Sequence, residues 1–80
     1  MVLNYEVMDE LDLHHTRHAE VNRVLENFLY EHIKKGTSEV KVITGKSPEM
    51  QKIVTNIVEQ YNMTATDEWN NFGCLIVKMT

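Results

Sequence analysis

Asp12 and His14 are the residues of this chain best suited by type and spacing to proton transfer, two positions apart in Leu11-Asp12-Leu13-His14. On a β-strand such residues share a face while Leu11 and Leu13 point the other way. An imidazole exchanges protons near neutral pH, and a carboxylate beside it can orient or tune it, or hold a hydrated divalent ion. The pair falls at the end of a strand before a turn into a helix, where open α/β sheets place ligands and chemistry. On pattern alone, two solvated polar positions of a half-buried strand are the simpler reading.

A second group with chemical potential is Thr44-Gly45-Lys46-Ser47. It joins a β-branched run to a helix that starts at Ser47-Pro48-Glu49, so Lys46 stands at a helix N-terminus, where exposed N–H groups and a lysine charge act on the same anion. Gly45-Lys46-Ser47 is not a nucleotide-binding P-loop, because the first glycine of that motif would fall at Val40, inside a strand. Arg17 and His18, at the start of the first helix, are further phosphate contacts, with solvated helix surface as the equally plain reading. His14, His15 and His18 cross a turn without an obvious fourth ligand, so no structural zinc is expected. Trp69 and Phe72 are expected to fold back over a sheet edge rather than stack on bases. Cys74 reads as a small hydrophobe at the start of a strand.

The elements that must position these residues follow from periodicity. Residues 7–13 predict a first strand, and Val21, Val24, Leu25, Phe28, Leu29 and Ile33 mark a helix over 17–35, with Thr16 as its N-cap and Gly36 after its basic last turn. Residues 39–44 predict a second strand. Met50, Ile53, Val54, Ile57, Val58 and Tyr61 form the stripe of a second helix, ended by Asn62. Strands over 63–67 and 74–78 follow, joined by a hairpin-like turn at 69–73. The order βαβαββ predicts an α/β (α+β) two-layer sandwich, a four-stranded mixed sheet with both helices on one face. Asp12 and His14 then lie on the open face, at the same edge as the Thr44–Ser47 loop.

Eighty residues allow one domain, with residues 1–6 read as a loosely held tail. Twelve acidic against eight basic residues give a charge of -4, which argues against a binder driven by charge over its whole surface, though not against a local basic patch. A lone cysteine and the lack of any signal-like or membrane-length apolar run predict a cytoplasmic chain without a membrane partner. A monomer is the expected state.

LDLH leading into a helix, a TGKS turn about thirty residues later, and a closing strand led by Gly73 resemble the Smr (small MutS-related) domain over about residues 11–78. The resemblance implies a two-layer sandwich similar to the C-terminal domain of translation initiation factor three. It also implies an activity that nicks or cleaves DNA or RNA. Carried onto this sequence, Asp12 and His14 match the positions implicated in cleavage, and Thr44, Gly45 and Lys46 match the H/T-G-x loop thought to approach nucleic acid. Two positions depart from the pattern: His15 stands where the glycine after LDLH is usual, and Ser47 replaces the second glycine of the loop. Ser47 is instead a good N-cap whose neighbouring N–H groups could hold an anion.

The leading expectation is an endonuclease acting through Asp12 and His14 and binding DNA or RNA through Arg17, Thr44, Gly45, Lys46 and Ser47. No cofactor is required by the sequence, although a divalent ion at Asp12 is compatible with it. The alternative is a non-catalytic module for nucleic acid, a ribosome or a larger protein, suggested by His15, Ser47 and the acidic charge. A third reading, a homodimer closed through the open sheet face, would use Ile43 and Ile76.

Overall fold

The computed structural model describes residues 8–68 and 71–79, with the side chains of 71 and 72 excepted. The expected tail and the aromatic contacts proposed for Trp69 and Phe72 lie outside what is described. Six elements follow in the expected order: β1 (Glu10–Asp12), α1 (His18–Lys35), β2 (Glu39–Ile43), α2 (Pro48–Gln60), β3 (Thr64–Glu68) and β4 (Asn71–Lys78). They form one four-stranded sheet in the order β1-β2-β4-β3, in which β1 is parallel to β2 and β4 runs antiparallel to both its neighbours.

Alternation sorts the sheet into two faces. Val40 pairs with Val77 and Val42 with Leu75, and all four are buried with Leu13 against Val21, Leu25 and Leu29 of α1 and Met50, Val54, Ile57 and Val58 of α2. The opposite face carries Asp12, Lys41, Ile43 and Ile76 in neighbouring register. Ile43 and Ile76 are only half-buried there, and Lys41 reaches across to Glu68 at 2.9 Å. That hydrogen bond raises the Lys41 ammonium above its usual range.

The helix stripes differ from expectation in their last turns. In α1 the buried positions are Val21, Leu25, Leu29 and His32, while Ile33 is 49% exposed. Steps of four, four and three keep His32 on the stripe, and one residue more rotates Ile33 about 100° away from it. His32 is held by Thr37 Oγ1 at 3.1 Å and rests on the Phe28 ring. Gly36 closes α1 with φ +72, as its position after the basic last turn predicts. In α2 the stripe ends at Val58; Tyr61 is 40% exposed and its hydroxyl donates to Glu26 of α1.

The start of α1 also departs from expectation. Thr16 is not the N-cap: its N–H donates to the Leu13 carbonyl at 2.9 Å and closes a turn around His14 and His15. Arg17, extended at φ -65 and ψ 141, becomes the N-cap and accepts from the Glu20 N–H through its carbonyl, with no capping side chain. Ser47 caps α2 as expected, its Oγ accepting from the Met50 N–H at 3.1 Å, with Pro48 as the first helical residue.

Candidate nucleic-acid cleavage site

β1 ends at Asp12, so alternation along a strand is not what brings His14 to it. The turn does. Leu13 donates its N–H to the Ile43 carbonyl at 2.7 Å and buries its side chain completely, and the chain then folds back over itself. Within this turn Asp12 Oδ1 accepts both the His14 backbone N–H at 3.1 Å and the His14 ring Nδ1–H at 2.5 Å. A carboxylate receiving Nδ1–H fixes the tautomer and leaves Nε2 as the basic, outward nitrogen. Both side chains are about half exposed, at 53% for Asp12 and 40% for His14, so the pair is open to a large substrate.

The side-chain hydrogen bond from His14 is also the main cause that holds the Asp12 carboxyl below its ordinary value of 3.8, helped by the His14 backbone N–H. The sign of the linkage follows directly. A carboxyl depressed in the folded state adds stability that is present above about pH 3.8 and lost as pH falls through its lower folded midpoint. Carboxyl carbon NMR should therefore give an Asp12 midpoint below 3.8 in the wild type and one closer to 3.8 in His14→Ala.

Gly45 lies directly against this pair. Its φ is +69, and a Cβ added there would stand 3.1 Å from the His14 Cβ. Both facts select glycine: the left-handed conformation penalises any side chain, and the His14 Cβ already crowds the space. The loop is held from beneath. Thr44 is only 2% exposed, and its hydroxyl lies 2.8 Å from the Gly45 carbonyl and 3.2 Å from the Gly73 carbonyl. The Gly73 carbonyl also accepts the N–H groups of Thr44 and Gly45 at 2.8 and 3.0 Å. The glycine that leads the closing strand thus anchors the TGKS turn through its backbone.

Gly45→Ala is accordingly expected to cost about 1–2 kcal/mol from backbone conformation alone. The added methyl should also push His14 off Asp12. A melting temperature lowered by about 5–10 °C, together with an Asp12 midpoint moved toward its ordinary value, would show both effects.

The structure brings Asp12, His14 and the Thr44–Ser47 loop to one edge, and places Arg17 and Lys46 on the surface at the starts of α1 and α2. His18 Nδ1 lies 3.7 Å from Glu49 Oε2, which ties the two helix starts together. Ser47 has φ -93, a conformation open to any residue, so its position does not demand glycine. Among the described residues no group of three His, Cys, Asp or Glu side chains is placed to hold a metal ion. His15, which the sequence marks as a departure from the family pattern and as one of three clustered histidines, touches the pair. Its ring centroid is 3.7 Å from that of His14, tilted by 43°.

The family model for the Smr domain matches residues 11–80. The chain belongs to the Smr domain family. Among solved structures, the crystal structure of the Smr domain of Thermus thermophilus MutS2 superposes with a TM-score of 0.80 at 18% identity, covering 89% of this chain and 96% of that one. The likeness establishes the fold, an α+β sandwich of two helices on a four-stranded mixed sheet. A comparison with curated proteins finds no significant match. Smr domains are known for nucleic-acid binding and nuclease activity. Among the described residues no helix is long and apolar enough to cross a membrane.

Proposed function

We propose that this Smr domain is an endonuclease that seats a nucleic-acid backbone along the edge formed by Arg17, Lys46 and the Thr44–Ser47 loop and cuts it with Asp12 and His14. The observation that carries this reading is the 2.5 Å contact between Asp12 Oδ1 and His14 Nδ1, beside a glycine loop that opens a helix. His14 Nε2 takes a proton from the nucleophile, and the Asp12 carboxylate stabilises the imidazolium that results. Arg17 and Lys46 supply charge to the phosphates, and the first-turn N–H groups of α2 add the partial charge of a helix N-terminus. Thr44 and Ser47 contribute through what they fix: Thr44 holds the loop backbone, and Ser47 sets the start of α2. A cytoplasmic, reducing setting suits the buried Cys74 thiol.

The test is cleavage of labelled single- and double-stranded DNA and RNA, with and without EDTA, by wild type, Asp12→Ala and His14→Ala. Cleavage by the wild type that is lost in both variants supports the reading. Unchanged cleavage in the variants overturns it, and tight binding without cleavage assigns the domain as a binding module. Affinity should fall steeply with salt, and Lys46→Ala should lower it evenly across sequences while reducing the salt slope by about one.

A further inference from the structure

β3 is an outer strand of the sheet, and its residues share the face of the β4 residues they pair with. Asp67 pairs with Leu75 and Ala65 with Val77, so both project toward the helices, while Glu68, beyond a shift in register, reaches Lys41 on the open face. Opposite them, beside the buried Met50, Val54 and Val58, α2 turns Gln51, Lys52 and Asn56 toward β3. A groove of about 540 Å³ lies between the two flanks, a size suited to a small ligand, with buried Leu75 and half-buried Ala65 lending it an apolar floor.

The polar groups of this groove are uncommitted. Lys52, Asn56 and Asp67 make no side-chain hydrogen bond or ion pair among the described residues. An ammonium that only donates and a carboxylate that only accepts therefore line one concavity. The groove also adjoins the edge that carries Asp12 and His14. Its Gln51 donates from Nε2 to the Gly45 carbonyl at 3.5 Å, and Gly45 lies against His14. Asp67, Leu75, Val42 and Leu11 fall in one row across the sheet, one residue before Asp12.

We infer that this groove reads guanine, taking one unstacked guanine of the strand held at the neighbouring edge. The inference rests on the nucleic-acid reading of that edge. A strand seated along Lys46 and the Thr44–Ser47 loop passes the mouth of the groove at Gln51, where a base flanking the held phosphate turns in. Both oxygens of a carboxylate are satisfied by a base that offers two neighbouring donors. Guanine does so through N1–H and its 2-amino group, with O6 beside them for the Lys52 ammonium. Adenine and cytosine offer one amino group beside an acceptor, and uracil one N–H between two acceptors, so each leaves an Asp67 oxygen facing no donor.

The test is fluorescence anisotropy with labelled strands, as RNA and as DNA, on a His14→Ala background that keeps them whole. Each strand is uniform in uracil or thymine except for one central guanine, hypoxanthine, adenine or cytosine. Hypoxanthine is guanine without the 2-amino group. The guanine strand should bind about 5–150-fold more tightly than the others, hypoxanthine included. Asp67→Asn, with unchanged circular dichroism and melting, should bind the guanine and hypoxanthine strands alike and hold the uniform strand within a few-fold of its former affinity. Lys52→Ala should likewise lose the preference for guanine and little else. Guanosine monophosphate alone should bind far more weakly than the guanine strand.

Equal affinity for all strands overturns the inference, as does a preference for guanine over hypoxanthine that survives Asp67→Asn. An even loss across all strands in Lys52→Ala makes that residue a phosphate contact and overturns it too, and guanosine monophosphate binding as tightly as the strand assigns the groove to a free nucleotide instead. Those results leave the endonuclease reading standing. No binding of any strand removes both.

Discussion

His14→Ala is expected to slow strand cleavage by about 10²–10⁴-fold while leaving the fold in place. The magnitude is that of a general base lost from a positioned site, and the side chain is exposed enough that its removal leaves no cavity in the core. Asp12 does not stand in for it: its carboxyl, ordinarily at 3.8, is held lower still, too weak a base for the work near neutral pH. Single-turnover cleavage with enzyme in excess separates the chemical step from binding, and binding of uncut strand should change little. A variant that melts like the wild type and retains more than a tenth of its cleavage rate would remove His14 from the reaction.

Leu13→Ala should instead act through the fold and lose about 2–5 kcal/mol, the range for truncating a leucine in a filled core. Leu13 is completely buried between the sheet and the helices, and its N–H ties β1 to the end of β2. A domain of this size has a total stability on the order of 5–10 kcal/mol, so the loss is a large part of the whole. A melting temperature lower by about 10–20 °C, with the urea midpoint shifted at constant slope, is the expected result. Activity at low temperature should fall less than in His14→Ala, because both site residues remain. A loss under 1 kcal/mol would show that Leu13 does not anchor this turn.

The two substitutions divide along the line between what the sequence declares and what it does not. The helices were legible because their apolar residues recur at helical spacing, and Pro48 and Gly36 mark where one begins and the other ends. The exposed last-turn Ile33 and the buried His32 were not, since a hydrophobic stripe assigns positions by residue type while the packed helix assigns them by angle. His32 is tolerated inside because Thr37 satisfies its ring. Thr16 resembled a cap by type, yet its N–H was already committed to the turn after β1. The open face, marked by Ile43 and Ile76, carries the Lys41–Glu68 bond across β4, a contact between strands far apart in the chain.

The pairing of Asp12 with His14 was anticipated from their spacing, but the cause lies in the turn rather than in the strand. The sequence by itself determined the element order, most of the core residues and the membership of the Smr family, because those depend on periodicity and on motifs local to the chain. Only the tertiary structure decided that Gly45 backs His14, that Gly73 anchors the loop through its carbonyl, and that His15 lies against His14. These contacts depend on how β1, β2 and β4 meet at one edge and on the direction in which a turn sends two adjacent rings, and neither is encoded in the spacing of residue types.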